Sequence, residues 1–217
     1  PDTHGGVWIG TYEGLYHLDG QPSAQAVRYE TVTQRIYSLA SDGEHLYSGH
    51  YRGCAELSPE GSLRHIIRDD RKRAVNLVYP DPEGLVYISF ANTGTLGILD
   101  PETGAMTEHT IIADDSHRRS NLIRSMAVQS DGRLVLGTYD GLRIYDPDQG
   151  VVESYNQTSQ ENGGLSHYAV ETVYIDRART LWVGTYAGGV NYAHAQSSQF
   201  SYHDPRRGNH TPGVLSA

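Results

Sequence analysis

The sequence predicts an all-β fold, and three observations support this prediction. Two apolar residues followed by Gly-Thr-Tyr and a further glycine occur three times, in residues 6–19, 133–147 and 180–195. Two weaker copies, in residues 45–59 and 85–101, extend the pattern to five repeats. Short apolar segments and Asp-Gly or Asp-Pro turns surround each copy, without a helical period. Short antiparallel strands in repeats of this length are typical of the blades of a β-propeller.

The aligned motif positions define the length of one repeat. They are separated by 39, 40, 48 and 47 residues: Gly10, Gly49, Ser89, Gly137 and Gly184. Intervals of this size correspond to four-stranded propeller blades. The sequence therefore predicts about five blades.

Each repeat has the same predicted order of strands. An apolar opening strand comes first, in 36–40, 75–79, 123–128 and 170–175. A polar turn with Asp, Gly or Pro follows, in 41–43, 81–84, 130–132 and 176–177. The second strand carries the motif, and a third strand follows the Tyr-x-Gly turn. A more polar fourth strand ends the repeat, in 26–30, 63–67, 106–110, 151–155 and 199–203.

This order predicts three strands in the first repeat and four in each of the others. We expect the second strands to lie in the middle of their blades with both faces covered, since LWVGT and VWIGT are almost wholly apolar. The motif glycine is then structural, and we expect the threonine and tyrosine to pack between blades rather than contact a ligand.

The repeats divide residues 1–217 into one partial propeller. The predicted blades are 1–32, 33–70, 71–116, 117–165 and 166–205, and 206–217 form a linker to a next blade. An open arc cut from a larger ring is favoured over a ring of five closed by 214–217, because four residues make a poor closing strand. An open arc exposes strand edges, so we expect it to associate.

Composition excludes several classes of protein. The formal net charge is −9, which disfavours sequence-independent binding of nucleic acid or of an anionic membrane. The single cysteine, Cys54, excludes an internal disulfide. No apolar stretch approaches the roughly 18 to 20 residues of a membrane span.

Two groups of residues could carry chemistry, and in both a structural role is favoured. His45, His50, Cys54 and His65 fall close together but lack the paired spacing of a zinc site, so we expect no metal and no cofactor. Two acidic doublets resemble a pair of glycosidase carboxylates. They lie in predicted loops beside basic residues, which favours solvated charge over catalysis: Asp69, Asp70, Asp114 and Asp115.

The strongest repeats carry a family resemblance. Residues 184–205, GTYAGGVNYAHAQSSQFSYHDP, and residues 5–15, GGVWIGTYEGL, resemble the two-component regulator propeller repeat. This repeat occurs in the periplasmic sensor regions of Bacteroidetes hybrid two-component proteins. The second and third repeats depart from it, since Ser48-Gly49-His50 and Ile88-Ser89-Phe90 replace Gly-Thr.

The resemblance implies a function as well as a fold. It implies a segment of a seven-bladed, non-enzymatic periplasmic sensor that belongs to a homodimeric inner-membrane protein. It also implies that the membrane helix, the histidine kinase and the DNA-binding domain lie in other segments. The resemblance favours a carbohydrate signal.

The candidate ligand site follows from propeller geometry. The loops between the second and third strands emerge on one face, together with the linkers between blades. They contain the residues that are candidates for binding an oligosaccharide if these loops form the site: Tyr12, Tyr51, Arg52, Asn92, Tyr139 and Tyr186. Tyrosine rings with polar neighbours suit the apolar faces and hydroxyls of sugars. A protein-binding scaffold is the alternative, and a propeller lyase or hydrolase is less favoured.

Overall fold

Every regular element of the described chain is a β-strand, which confirms the all-β prediction. The computed structural model describes residues 5–21, 23–30, 32–51, 53–68, 71–112, 122–156, 164–194 and 200–203. These residues form five antiparallel sheets, each of which is one propeller blade. Among them, no helix has the length and apolarity needed to cross a membrane.

The five blades follow one another along the chain. Blade 1 contains β1 (Val7–Thr11), β2 (Gly14–Leu18) and β3 (Val27–Tyr29). Blade 2 contains β4 (Ile36–Ser41), β5 (Leu46–His50), β6 (Gly53–Leu57) and β7 (Leu63–Arg68). Blade 3 contains β8 (Val75–Pro80), β9 (Val86–Phe90), β10 (Thr95–Leu99) and β11 (Met106–Thr110). Blade 4 contains β12 (Ile123–Val128), β13 (Leu134–Thr138), β14 (Gly141–Asp146) and β15 (Gly150–Tyr155). Blade 5 contains β16 (Val170–Ile175), β17 (Leu181–Thr185), β18 (Gly189–Ala193) and β19 (Ser201–His203).

The described strands match the predicted ones closely. The opening strands predicted at 123–128 and 170–175 coincide with β12 and β16. In each blade the strands pair in chain order as an up-and-down sheet. Blade 1 has three strands, as its shorter repeat predicts. A partial propeller of about five blades is therefore the fold of this chain.

The chain separates into two compact units. Unit 1 is Pro1–Thr110 and contains blades 1 to 3, and unit 2 is Ile111–Ala217 and contains blades 4 and 5. In unit 2 the core joins the facing sheets through Val135, Leu142, Val173 and Val183. In unit 1 separate apolar clusters surround Leu15 and Leu57 and, further along, Val86 and Phe90. The assignment of residues 1–217 to one propeller stays a prediction.

The motif glycines are structural because the next blade packs against them. A Cβ on Gly10 would lie 2.7 Å from Cγ2 of Ile36, and one on Gly137 would lie 2.7 Å from Cγ1 of Val170. At Gly49 the closest atom is the backbone oxygen of Val75, at 2.8 Å. Each contact comes from the first residue of the following opening strand. The glycine therefore sets how closely two neighbouring sheets approach.

The expectation of fully covered second strands holds for some blades only. All five residues of β5, β9 and β13 are buried. The expectation is wrong for VWIGT and LWVGT, since Val7 in β1 is 44% exposed and Trp182 in β17 is 39% exposed. Strand β1 is the edge of its three-stranded sheet instead of its middle. At Gly184 a Cβ would meet only Thr172 of its own blade among the described residues.

Candidate ligand-binding site

The turns between the second and third strands place the motif tyrosines at one end of each blade. The threonine before the tyrosine binds the turn backbone: the hydroxyl of Thr138 donates to the carbonyl of Gly141 at 2.8 Å and accepts from the amide of Asp140 at 3.2 Å. Thr11 makes the same pair of bonds in blade 1. The threonine hydroxyl is therefore hydrogen-bonded within the turn, and the tyrosine side chain is directed outward.

The turn glycine is required by its backbone conformation. Gly141 has a φ of +100°, and a Cβ on it would lie 2.2 Å from the carbonyl oxygen of Tyr155. Gly14 has a φ of +123° and a similar clash with the carbonyl of Val32. Only glycine adopts this conformation without strain. The Tyr-x-Gly pattern thus holds the tyrosine at a defined place beside a tight reversal.

The predicted packing of the motif tyrosines between blades is wrong for Tyr12 and Tyr186, and it holds in part for Tyr139. Tyr12 and Tyr186 are each 73% exposed, and Tyr139 is 38% exposed. Of the other predicted site residues, Tyr51 is 56% exposed in the turn after β5. Asn92 is exposed in the turn after β9, with a φ of +60°. Arg52 lies outside the described residues.

In unit 2 the structure brings two of the predicted residues into one aromatic cluster. Tyr139 packs edge-on against Tyr168, with ring centroids 5.7 Å apart. His167 stacks on Tyr168 at 4.3 Å and lies 6.4 Å from the ring of Tyr186. We call these four residues, Tyr139, His167, Tyr168 and Tyr186, the aromatic cluster.

The aromatic cluster is held in place by buried polar contacts. The side chain of Asn191, which is fully buried, accepts from the amide of Ser166 and donates to its hydroxyl, each at 2.9 Å. The amide of Ala169 donates to Nδ1 of His167 at 3.1 Å, which leaves the proton of the neutral ring on Nε2. These contacts fix the backbone that carries Tyr168 before any ligand arrives.

Charged groups border the aromatic cluster. Arg143 pairs with Asp140, next to Tyr139, at 3.2 Å. Arg124 and Glu171 pair across β12 and β16 at 2.6 Å. Both pairs are balanced in charge. Among the described residues, the cluster therefore offers aromatic faces flanked by hydrogen-bonding groups and by two ion pairs.

In unit 1 the turn of blade 1 forms a different arrangement. The guanidinium of Arg35 lies 3.9 Å from the ring centroid of Tyr12 and 4.6 Å from that of Tyr37. It also donates to the hydroxyl of Tyr12 at 2.9 Å. Tyr51 and Asn92 lie in the turns of other blades.

Sequence reasoning missed Arg35, Tyr37 and Tyr168 as site residues. They lie at the start of opening strands or just before them, and an antiparallel partner places that start beside the end of the second strand. The amide of Tyr186 donates to the carbonyl of Ala169 at 2.9 Å, which shows this adjacency. The aligned opening strands would have placed these residues at this end of the blade, but not which side chains they contact.

The residues considered for zinc have other surroundings. Cys54 is buried, which raises the pKa of its thiol to about 12. Burial lowers the pKa of His50. His45 contacts Asp42 at 3.2 Å and also contacts Arg64. Within the described part of the chain, no three His, Cys, Asp or Glu residues are arranged to hold a metal ion.

The acidic doublets cannot be placed. Asp69, Asp70, Asp114 and Asp115 lie outside the described residues. Arg73, which follows the first doublet in the sequence, pairs with Glu108 at 2.6 Å and stacks on Phe90 at 3.7 Å.

Comparisons with known proteins agree with the propeller fold. No protein-family model and no curated protein sequence matches the chain. Among solved structures, it is similar to the extracellular domain of the putative hybrid two-component system BT4673 from B. thetaiotaomicron. The TM-score is 0.73 at 23% identity, over 91% of this chain and 27% of the other.

A second similar structure is the extracellular domain of the putative hybrid two-component system BT3049 from the same organism. That TM-score is 0.74 at 22% identity, over 98% of this chain and 28% of the other.

An enzyme also has a similar fold. Virginiamycin B lyase from Staphylococcus aureus matches with a TM-score of 0.70 at 10% identity, over 90% of this chain and 65% of the lyase. The chain spans only about a quarter of the length of the two-component extracellular domains. The structural similarity thus agrees with the family resemblance of the repeats. This chain has the fold found in those extracellular domains.

Proposed function

We propose that this chain is a non-enzymatic segment of the periplasmic region of a hybrid two-component sensor, and that its aromatic cluster binds an oligosaccharide. The likeness to two extracellular domains of hybrid two-component systems supports the sensor role. In this proposal, ligand binding shifts the population of two arrangements of a sensor homodimer and so biases a kinase domain outside this chain.

The observation that carries the ligand class is the aromatic cluster itself. Three exposed tyrosines and a histidine lie together at the end of blades 4 and 5 where the motif turns emerge. Exposed rings that do not fill a core cost hydrophobic free energy unless something covers them. Pyranose rings present C–H faces that stack on tyrosine, and their hydroxyls fit the nearby donors and acceptors.

Paired calorimetry tests this proposal, using a panel of neutral and acidic plant and host oligosaccharides. Tyr168→Ala combined with Tyr186→Ala should weaken the binding of the cognate saccharide by about 10- to 100-fold, since two stacking contacts are lost. Thermal melting should change little because both side chains are substantially exposed.

Tyr174→Ala is the matched control. Tyr174 is 61% exposed in the same blade but lies on β16, away from the motif turn. Its removal should leave saccharide affinity unchanged. Equal loss of affinity in both variants, or a large fall in melting temperature of the double variant, would contradict the proposal.

A protein-binding scaffold is the second candidate. Tyr174, Trp182 and Val190 of blade 5 are 61%, 39% and 40% exposed, and aromatic residues are enriched in protein interfaces. Under this alternative, Tyr174→Ala would weaken binding of the partner protein. Substitutions in the aromatic cluster would leave that binding unchanged. Glycan cleavage by the unmodified protein would instead favour a lyase or hydrolase function.

A further inference from the structure

Arg35 is held in a fixed position by two tyrosine rings. Its guanidinium lies over Tyr12 at 3.9 Å and over Tyr37 at 4.6 Å, and it donates one hydrogen bond to the Tyr12 hydroxyl. The side chain thus joins the motif turn of blade 1 to the opening strand of blade 2. Stacking of this kind fixes a guanidinium without consuming its remaining N–H donors.

The charge of Arg35 has no carboxylate partner among the described residues, in contrast to seven other described arginines. Ion pairs with carboxylates hold the following described arginines: Arg28, Arg64, Arg71, Arg73, Arg124, Arg133 and Arg143. In a chain with a formal net charge of −9, an unpaired arginine that is nevertheless immobilised is unusual. Stacking on the two rings explains the position of the guanidinium but supplies no negative charge to neutralise it.

We propose that Tyr12, Arg35 and Tyr37 form a subsite for the anionic group of an acidic saccharide, a carboxylate or a sulfate ester. This inference rests on the proposed function and names the class of its ligand. The fork of N–H donors on a guanidinium matches the two oxygens of a carboxylate or sulfate. The exposed ring of Tyr12 beside it provides a stacking surface for the attached sugar.

The two clusters differ in the chemistry that they can select. The aromatic cluster of unit 2 is bordered by balanced ion pairs, so it suits neutral sugar rings. The subsite of unit 1 presents a guanidinium that no carboxylate of the described residues pairs with. Each cluster is complete within its own unit, so each can be tested by its own variants.

The test uses three probes: an oligogalacturonate, its methyl ester, and a carrageenan oligosaccharide that carries sulfate without carboxylate. We expect the chain to bind the oligogalacturonate or the carrageenan more tightly than the neutral ester. Arg35→Gln should weaken that binding by about tenfold or more, because a charge-assisted hydrogen bond is lost. Arg35→Lys should be intermediate, since it keeps the charge but not the fork. Tighter binding of the oligogalacturonate would identify a carboxylate as the preferred anion, and tighter binding of the carrageenan oligosaccharide would identify a sulfate ester.

Arg177→Gln is the matched control. Arg177 is an exposed arginine in the turn between β16 and β17, so the variant removes the same charge without touching the subsite. It should leave binding unchanged, and melting temperatures of all variants should match that of the parent chain. Failure of both acidic probes to bind, or equal binding by the Arg35→Gln variant, would overturn this inference. Neutral saccharide binding that depends on Tyr168 and Tyr186 would then leave the proposed function standing.

Discussion

The two tryptophans occupy the same motif position in the first and last blades, yet their surroundings differ. Trp8 packs 4.8 Å from Tyr29 and 4.4 Å from His17, and a Cβ on Gly61 of blade 2 would lie 2.5 Å from its ring. Trp182 contacts Tyr192 of its own sheet at 5.5 Å and donates to Asp176 at 2.9 Å, but it remains 39% exposed.

The two environments show that the motif predicts a strand but not how deeply that strand is buried. In blade 1 the face that carries Trp8 and Gly10 is covered by blade 2. In blade 5 the face that carries Trp182 and Gly184 meets only residues of its own sheet among those described. A similar local sequence therefore has a different energetic role, since burial depends on a neighbouring blade.

Alanine substitution of the motif glycines should give the largest contrast. Gly49→Ala should destabilise the fold by about 2 to 3 kcal/mol, because its Cβ would meet the backbone oxygen of Val75, which cannot rotate away. Gly184→Ala should cost less than about 0.5 kcal/mol, since among the described residues its Cβ would closely approach only the exposed side chain of Thr172. Denaturant unfolding of both variants measures the difference. Equal effects would show that the two blade faces are equally covered.

Removal of the tryptophans should give a smaller contrast. Trp8→Ala should cost about 2 kcal/mol, because the ring fills the space beside Gly61 and Tyr29. Trp182→Ala should cost about 1 kcal/mol, since it loses one aromatic contact and one hydrogen bond on an exposed face. Chemical denaturation checks both values, and a larger cost for Trp182 would contradict the comparison.

The smallest expected effect is a change in the titration of Asp176. The hydrogen bond from Trp182 and the amides of Thr180 and Ala178 hold the pKa of this carboxyl below its ordinary value of 3.8. The charged carboxylate is therefore the form that stabilises the folded state. This contribution is present above pH 3.8 and is lost as the pH falls through the lower folded pKa.

Trp182→Phe should raise the pKa of Asp176 toward 3.8 because it removes the first of these hydrogen bonds. Carboxyl chemical shifts followed by NMR titration measure this pKa. Asp100 is the internal control, since its lowered pKa comes mainly from Thr103 and no tryptophan contributes. An unchanged Asp176 pKa would mean that the backbone amides alone hold the carboxylate.

Much of the fold could be predicted from the sequence because the repeats are regular. Apolar runs followed by polar turns that contain Asp marked β12 and β16 to the residue. The motif turns correctly identified the end of the blade where Tyr139 and Tyr186 lie. The partners Arg35 and Tyr168 could not be found in the same way, since they come from a different strand and meet the tyrosines only through sheet pairing.

The sequence by itself determined the strands, their turns and the need for glycine at the motif, because these depend on local periodicity and backbone conformation. Which copies of the motif are buried, and which side chains contact each other, depends on the tertiary structure. Those properties depend on the blade that packs against each face and on contacts between residues far apart in the chain. For this reason Trp8 and Trp182 share a sequence context but not an environment, and Arg35 stacks on Tyr12 and Tyr37 only in the folded protein.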